Sequence, residues 1–326
     1  MSLFSVRELD QAAAFVSSMM PPTPAYSWPL LSKRTGVEVI VKHENHTPTG
    51  SFKARGGLVY IEHLRSIGKL PDGFVTATRG NHGQSIAIGA SNHNLPSLIV
   101  VPEGNSYEKN AAMKAFGGEL IVSGVDFDES RKVAAQIERD RGYHFIPAFH
   151  PKLVLGVSTY AYELFKSHSD LDVVYVPIGM GSGICALITV RDLLGLHTEI
   201  VGVVAENAPA FALSFEAGKP VSTQSANTFA DGMACRQPLQ DSLEIVLAGA
   251  ARVIRVTEDE IASAIRHLYT DTHNLSEGAG AASLAALTKE STSFNYKKAG
   301  VILCGSNIDM AVFAEVISGN TPTVST

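Results

Sequence analysis

Three cysteines in 326 residues, Cys185, Cys235 and Cys304, are too few, too scattered and odd in number for a disulfide framework. They also lack the short paired spacings of a zinc site. Positive charge is in deficit, with 26 Lys plus Arg against 32 Asp plus Glu, a net charge of −6 and a pI near 6.0. A nucleic-acid binder carries a basic face, so the balance argues against that class. The apolar stretches are strand-sized and broken by Gly or Pro, which leaves none able to span a bilayer. Met1–Phe15 shows no basic segment followed by an apolar run, so no secretory leader is expected. No repeat, low-complexity tract or charge block stands out. What is present in quantity is hydrophobic material, 45% of residues against 18% charged, enough for a large core and too much for disorder. The expectation is a cytoplasmic α/β protein with neither a membrane nor a nucleic acid as partner. At ~100–200 residues per domain, it has about two domains.

Short β-branched runs recur at Val37–Lys42, Phe74–Ala77, Ser97–Val101, Glu119–Val122, His144–Ile146, Val173–Ile178, Glu199–Ala205, Arg252–Val256 and Ala299–Leu303. Leu98 to Val101 and Val173 to Val176 are continuously apolar rather than alternating, the pattern of strands buried on both faces of a parallel sheet. Between the runs lie Ala- and Leu-rich segments that read as helices, among them Gly83–Asn92, Asn110–Phe116, Phe127–Arg141, Thr159–Ser167, Gly183–Leu194, Glu258–Thr270 and Gly280–Leu287. The alternation predicts an α/β chain of two doubly wound domains with mainly parallel sheets. The loop Gly68–Gly73 and the Pro-containing Phe145–Pro151 are the expected crossing points. They divide the chain into a large domain, 1–72 plus 151–326, and a small one, 73–150.

Four strand-to-helix junctions carry the chemistry. In Ser51-Phe52-Lys53-Ala54-Arg55-Gly56, Lys53 falls near a helix N-terminus, where the macrodipole disfavours an added positive charge. A Schiff-base amine needs that, because only its neutral form attacks a carbonyl; the plainer reading is a solvated lysine in a first turn. In Thr78-Arg79-Gly80-Asn81-His82-Gly83, the glycines permit a tight turn, and a helix start offers N–H groups to a carboxylate; a simple capping turn is the alternative. Gly179-Met180-Gly181-Ser182-Gly183 follows a strand and opens a helix, the form of a phosphate cradle. Alone it also fits a dinucleotide fold, with Glu206 about 20 residues on as the ribose acid, so NAD stays open at this point. No Lys-Ser/Thr follows, which excludes a triphosphate loop. In Cys304-Gly305-Ser306-Asn307-Ile308-Asp309, a thiol at a strand's end could meet a neutral ring nitrogen, or Asn307 or Asp309 could merely cap a helix.

Taken in order, together with Ala230-Asp231-Gly232 and Glu277 in Ser276-Glu277-Gly278-Ala279-Gly280, these segments resemble the fold-type II pyridoxal-phosphate enzymes. The group is that of threonine/serine dehydratases and serine racemases, with the tryptophan synthase β-like fold. The resemblance spans nearly the whole chain and implies pyridoxal 5′-phosphate (PLP) as cofactor, with Lys53 as its Schiff-base lysine and catalytic residue. It further implies Asn81 on the pyridine 3-oxygen, Gly179, Met180, Gly181, Ser182 and Gly183 on the phosphate, and Phe52, Glu277 and Cys304 around the ring. Ser51, Thr78, Arg79, Asn81 and His82 would hold an amino-acid substrate. The implied activity is an ammonia-lyase of the threonine dehydratase kind, taking L-threonine or L-serine to a 2-oxo acid and ammonia, in a homodimer. A thiol facing the ring leaves the pyridine unprotonated, which suits elimination over transamination.

The departures also count. Arg79 stands where the racemases carry an acid/base serine, which argues against racemisation. Glu206 and Ala210 match the family's divalent-cation site, but Ala212 replaces its Asp, so no metal is expected. Ala148 replaces a cofactor-holding asparagine. The rivals are dehydratases for 3-hydroxyaspartate or a hydroxyectoine-pathway substrate, then serine racemase, and, in a different class, an idle PLP- or NAD-binding protein.

Overall fold

The structure, a computed structural model, describes residues 3–125 and 127–323. Its strands are β1 (Ala25–Ser27), β2 (Glu38–His43), β3 (Phe74–Ala77), β4 (Ser97–Val101), β5 (Glu119–Val122), β6 (His144–Phe145), β7 (Val173–Pro177), β8 (Glu199–Ala205), β9 (Arg252–Val256) and β10 (Lys298–Leu303). The helices are α1 (Val6–Met19), α2 (Pro29–Thr35), α3 (Lys53–Ser66), α4 (Asn81–Ser91), α5 (Tyr107–Ala115), α6 (Phe127–Arg141), α7 (Pro151–Ser167), α8 (Ser182–Leu193), α9 (Ala210–Ala217), α10 (Gln240–Gly249), α11 (Glu258–Thr272), α12 (Gly278–Glu290) and α13 (Met310–Ile317).

Two sheets result. One has six strands in the order β1-β2-β10-β7-β8-β9, and the other has four, β5-β4-β3-β6. Every pairing is parallel except β1 with β2. The mixed α/β architecture with mainly parallel sheets is thus present, and its cause is visible in β4. Leu98, Ile99, Val100 and Val101 are all essentially inaccessible, because helices cover both faces of the sheet.

All nine expected strands form, with ends displaced by a residue or so. Strand β1 was not expected. It is three residues long, lies at the sheet edge and leaves Tyr26 exposed, too short a run to show a period. Helix α7 starts at Pro151 rather than Thr159: proline is well placed in a first turn, and His150 accepts from the Lys152 N–H as a cap. Helix α1 rests on a capping box in which Ser5 and Glu8 bond each other's backbone N–H.

Helix α3 links the two layers. Its Leu58 and Val59 belong to the core of the six-stranded sheet, whereas Tyr60 and Ile61 pack with Phe74, Ile86 and Ile146 beside the four-stranded one. Beneath its first turn lies a buried ionic network. Arg55, with no exposure, makes a bidentate pair with Glu44 at 2.7 and 3.0 Å and reaches Glu163 at 2.7 Å, while Lys42 bonds Glu163 at 2.6 Å. Two cations and two carboxylates balance, which makes such a cluster tolerable away from water.

Candidate active site

Parallel strands present their C-terminal ends together, and ligands of α/β proteins bind there. Here β2, β3, β7 and β10 run into the loops that line one cavity of about 570 Å³, within the range of small-molecule sites. The junction after β2 is stitched to the junction after β10. Ser51 bridges Gly305, the Phe52 N–H donates to the Cys304 carbonyl at 3.0 Å, and the Ser306 N–H donates to the Gly50 carbonyl at 2.9 Å. Lys53 and Cys304, far apart in the chain, therefore face the same space.

Lys53 begins α3, and its Nζ donates to Ser182 Oγ at 3.0 Å while lying 4.9 Å from the Phe52 ring centroid. Burial pushes its amine down to about 8, against the opposing pull of Cys304 and Glu277. Phe52 is set edge-on to Tyr160, whose hydroxyl donates to the Gly183 carbonyl at 3.0 Å. The lysine is thus tied on two sides to the loop after β7.

That loop has the form of an anion cradle. Gly181 caps α8 at φ 96°, a left-handed conformation that favours glycine, and no side chain caps the helix. A Cβ on Gly179 would lie 2.3 Å from the Gly232 carbonyl oxygen. Among the described residues, the first-turn N–H groups of Ser182, Gly183 and Ile184 have no backbone acceptor, the Cys185 N–H being the first to find Gly181. Three free donors at a helix N-terminus fit a phosphate.

Across the cavity, α4 starts at Asn81 with Gly80 as an uncapped N-cap. The Asn81 side chain is held at both ends, its Nδ2 donating to Glu277 Oε1 at 2.8 Å and its Oδ1 accepting from Asn307 Nδ2 at 2.8 Å. One amide hydrogen remains for a ligand. Glu277 is buried beside Lys109, whose Nζ lies 3.6 Å from it and 2.5 Å from Asp231. Burial raises the Glu277 carboxyl to about 7, against the pull of Lys109. Burial by itself would lower the Lys109 ammonium, but Asp231 and Glu277 outweigh it and its pKa is raised. His82 is driven down to about 3 by burial and then by Lys53, and its Nε2 is buried without a partner. Burial, then Glu277, pushes the Cys304 thiol far up, so it keeps its proton.

Of the residues expected from sequence, Phe52, Lys53, Thr78, Arg79, Asn81, His82, Gly179, Met180, Gly181, Ser182, Gly183, Glu277 and Cys304 line the cavity, as does Ala148. Ser51 does not; it is fully buried, and its hydroxyl has no partner. Ala210 and Ala212 are packed inside α9 and Glu206 lies exposed at the end of β8. Sequence reasoning gave no site role to Lys109, Arg131 or the 224–237 segment, of which it quoted only Ala230-Asp231-Gly232, and all of these contribute to the lining. Lys109 was legible only as a charge in a helix, since nothing in its neighbours announces a partner more than a hundred residues away.

The lysine, the free cradle and the clamped asparagine are what a Schiff-base cofactor with a phosphate requires, and comparison with known proteins agrees. Residues 16–305 match the family described as pyridoxal-phosphate dependent enzyme. The chain belongs to that family. Its relatives include the L-threonine ammonia-lyase of Thermotoga maritima, 30% identical over 97% of this chain and 79% of that protein. The L-threonine ammonia-lyase of Geobacter sulfurreducens is 34% identical over 88% and 71%. Against the biosynthetic L-threonine dehydratase of Pasteurella multocida, 30% identical over 88% of this chain, the match spans only 56% of the relative's length. Among solved structures, a PLP-dependent aspartate racemase superposes with a TM-score of 0.90 at 25% identity over 95% and 98% of the two chains. The processed threonine deaminase isoform 2 of Solanum lycopersicum gives 0.87 at 28% over 97% and 94%. The fold is therefore that of the fold-type II PLP enzymes, and among the described residues no helix is long and apolar enough to cross a membrane.

Proposed function

We propose that this PLP-dependent enzyme eliminates water from a β-hydroxy amino acid and releases a 2-oxo acid and ammonia, with L-threonine and L-serine as its simplest substrates. The observation that carries the reading is the placement of the Lys53 amine, 3.0 Å from Ser182 at the head of the anion cradle, in a cavity also lined by a thiol that keeps its proton. The names of the relatives, threonine ammonia-lyases and a threonine deaminase, support it. When bound, the cofactor supplies the electron sink for loss of the Cα proton. The residues do the rest. The α4 N-terminus and Thr78 hold the substrate's carboxylate, with Asn81 and His82 offering their backbone N–H groups. Lys53 Nζ removes the Cα proton as general base. That proton returns through Nζ and Ser182 Oγ to the departing β-hydroxyl, which leaves as water. The enamine product then hydrolyses to the 2-oxo acid and ammonia. Arg79 supports elimination over racemisation, because a guanidinium cannot act as a base near neutral pH.

In this reading, residues 1–72 plus 151–326 form the cofactor-holding domain and 73–150 the substrate-side domain, and the family resemblance supports a homodimer. The test is the purified protein loaded with PLP. It shows a visible Schiff-base absorption that borohydride abolishes, and it forms 2-oxo acid from L-threonine or L-serine. Lys53→Ala loses the absorption and nearly all turnover while its circular dichroism is unchanged. Substantial elimination by purified Lys53→Ala would overturn the mechanism.

A further inference from the structure

The wall of the cavity is unexpectedly cationic for a chain of net charge −6. Arg79, Arg131 and Arg236 all line it. Among the described residues, the acids that line it, Asp231 and Glu277, are both engaged by Lys109 at 2.5 and 3.6 Å, so neither is paired with Arg79. Arg79 is the most telling. It is exposed at the mouth, in the turn between β3 and α4, and it makes no ion pair or hydrogen bond among the described residues. A guanidinium at a cavity mouth with no partner among the described residues can take an anion, and its fork matches a carboxylate.

Two carboxylates could satisfy it, and position decides between them. In the elimination proposed above, the α-carboxylate is attached to the carbon whose proton Lys53 removes. For it the uncapped start of α4 already offers the Asn81 and His82 N–H groups, and the Gly80 N–H is taken by Thr78 Oγ1 at 3.0 Å. Arg79 is the exposed residue of this turn, whereas Gly80 and His82 are buried and Asn81 is half-buried, so it stands nearer solvent than those donors, where the longer side chain of a substrate would extend.

We propose that Arg79 is the specificity-determining residue of this site and that the preferred substrate is a β-hydroxy amino acid with a second acid group, whose distal carboxylate pairs with the Arg79 guanidinium. The inference rests on the elimination chemistry proposed above and adds the substrate class. The atoms balance as before: the Cα proton and the β-hydroxyl leave as water, and the distal carboxylate is unchanged.

The experiment compares PLP-loaded wild type with Arg79→Gln and Arg79→Lys on L-threo-3-hydroxyaspartate, L-serine and L-threonine. The readout is the ratio of kcat/KM for the diacid to that for serine. In the wild type the ratio favours the diacid. In Arg79→Gln it falls by roughly 10- to 100-fold, the range of a lost charge-assisted hydrogen bond, and Arg79→Lys recovers part of it. A binding readout free of turnover is competition by succinate against butyrate, followed through the cofactor's absorption; wild type prefers succinate and Arg79→Gln does not. An equal loss on all three substrates would assign Arg79 to the α-carboxylate and overturn the proposal. A ratio unchanged by the substitution, or no diacid preference in an enzyme that turns over threonine, overturns it while leaving the elimination reading intact. Absence of any Schiff-base absorption or any elimination defeats the elimination reading instead.

Discussion

Asn307 donates through Nδ2 to Asn81 Oδ1 at 2.8 Å, which fixes the direction in which the Asn81 amide faces the cavity. The same Nδ2 also reaches the Thr49 carbonyl at 2.8 Å, so Asn307 is itself anchored to the junction that carries Lys53. With Glu277 holding the other end at 2.8 Å, Asn81 cannot turn its oxygen toward a ligand without breaking both bonds.

Asn307→Ala should therefore weaken PLP binding without abolishing it. One lost neutral hydrogen bond is worth about 0.5–1.5 kcal/mol, or roughly 2- to 10-fold in Kd. Asn307→Asp should do worse, because a carboxylate oxygen would oppose Asn81 Oδ1 and drive the amide to flip. Titration of the apoprotein with PLP, read by protein fluorescence, measures both. Equal affinity in all three proteins would show that the Asn81 amide is not held by Asn307.

A second prediction concerns the rate at which apoprotein captures PLP. Lys53 attacks only as the neutral amine, and its pKa is lowered to about 8. The neutral fraction grows with pH up to that value, so below about 8 the capture rate should rise close to tenfold per pH unit and then level off. An ordinary exposed lysine would keep rising to about 10.4. Stopped-flow absorbance across pH 6–10, at about constant ionic strength, distinguishes the two profiles.

The buried network under α3 makes a prediction about stability. Glu44→Gln removes one carboxylate from the Arg55 and Lys42 pair and leaves excess positive charge without exposure to water. Breaking such a pair on one side costs about 3–5 kcal/mol. Urea unfolding should show a loss of that order, and because Arg55 follows Lys53 by two residues, PLP affinity should fall with it.

Much of this was legible in the sequence. Continuous apolar runs such as Leu98 to Val101 announce buried parallel strands, and the glycines of the 179–183 loop announce a backbone that needs open donors. Most of the cavity-lining residues named from sequence lie on strand-to-helix junctions, because turn chemistry is local. What escaped is long-range. Lys109 meets Asp231 across 122 residues, and Arg55 meets Glu163 across 108; no periodicity encodes such partners. Ser51 is the converse case. It adjoins Phe52 and Lys53, but it is fully buried, bridges Gly305 and is not among the residues that line the cavity.

The order of strands has a consequence for biosynthesis. Among the described strands β10 is last along the chain, but in its sheet it lies between β2 and β7. Until it inserts, those two strands present bare edges, templates on which another chain can add. Cys304, Gly305 and Asn307 arrive with it, so the scaffold around Lys53 is incomplete as well. A nascent chain released before this strand would be both a poor trap for a reactive aldehyde and a ready seed for aggregation. Completion of the middle of the sheet by the last of its described strands thus makes ligand capture a signal that synthesis has passed the 298–307 segment.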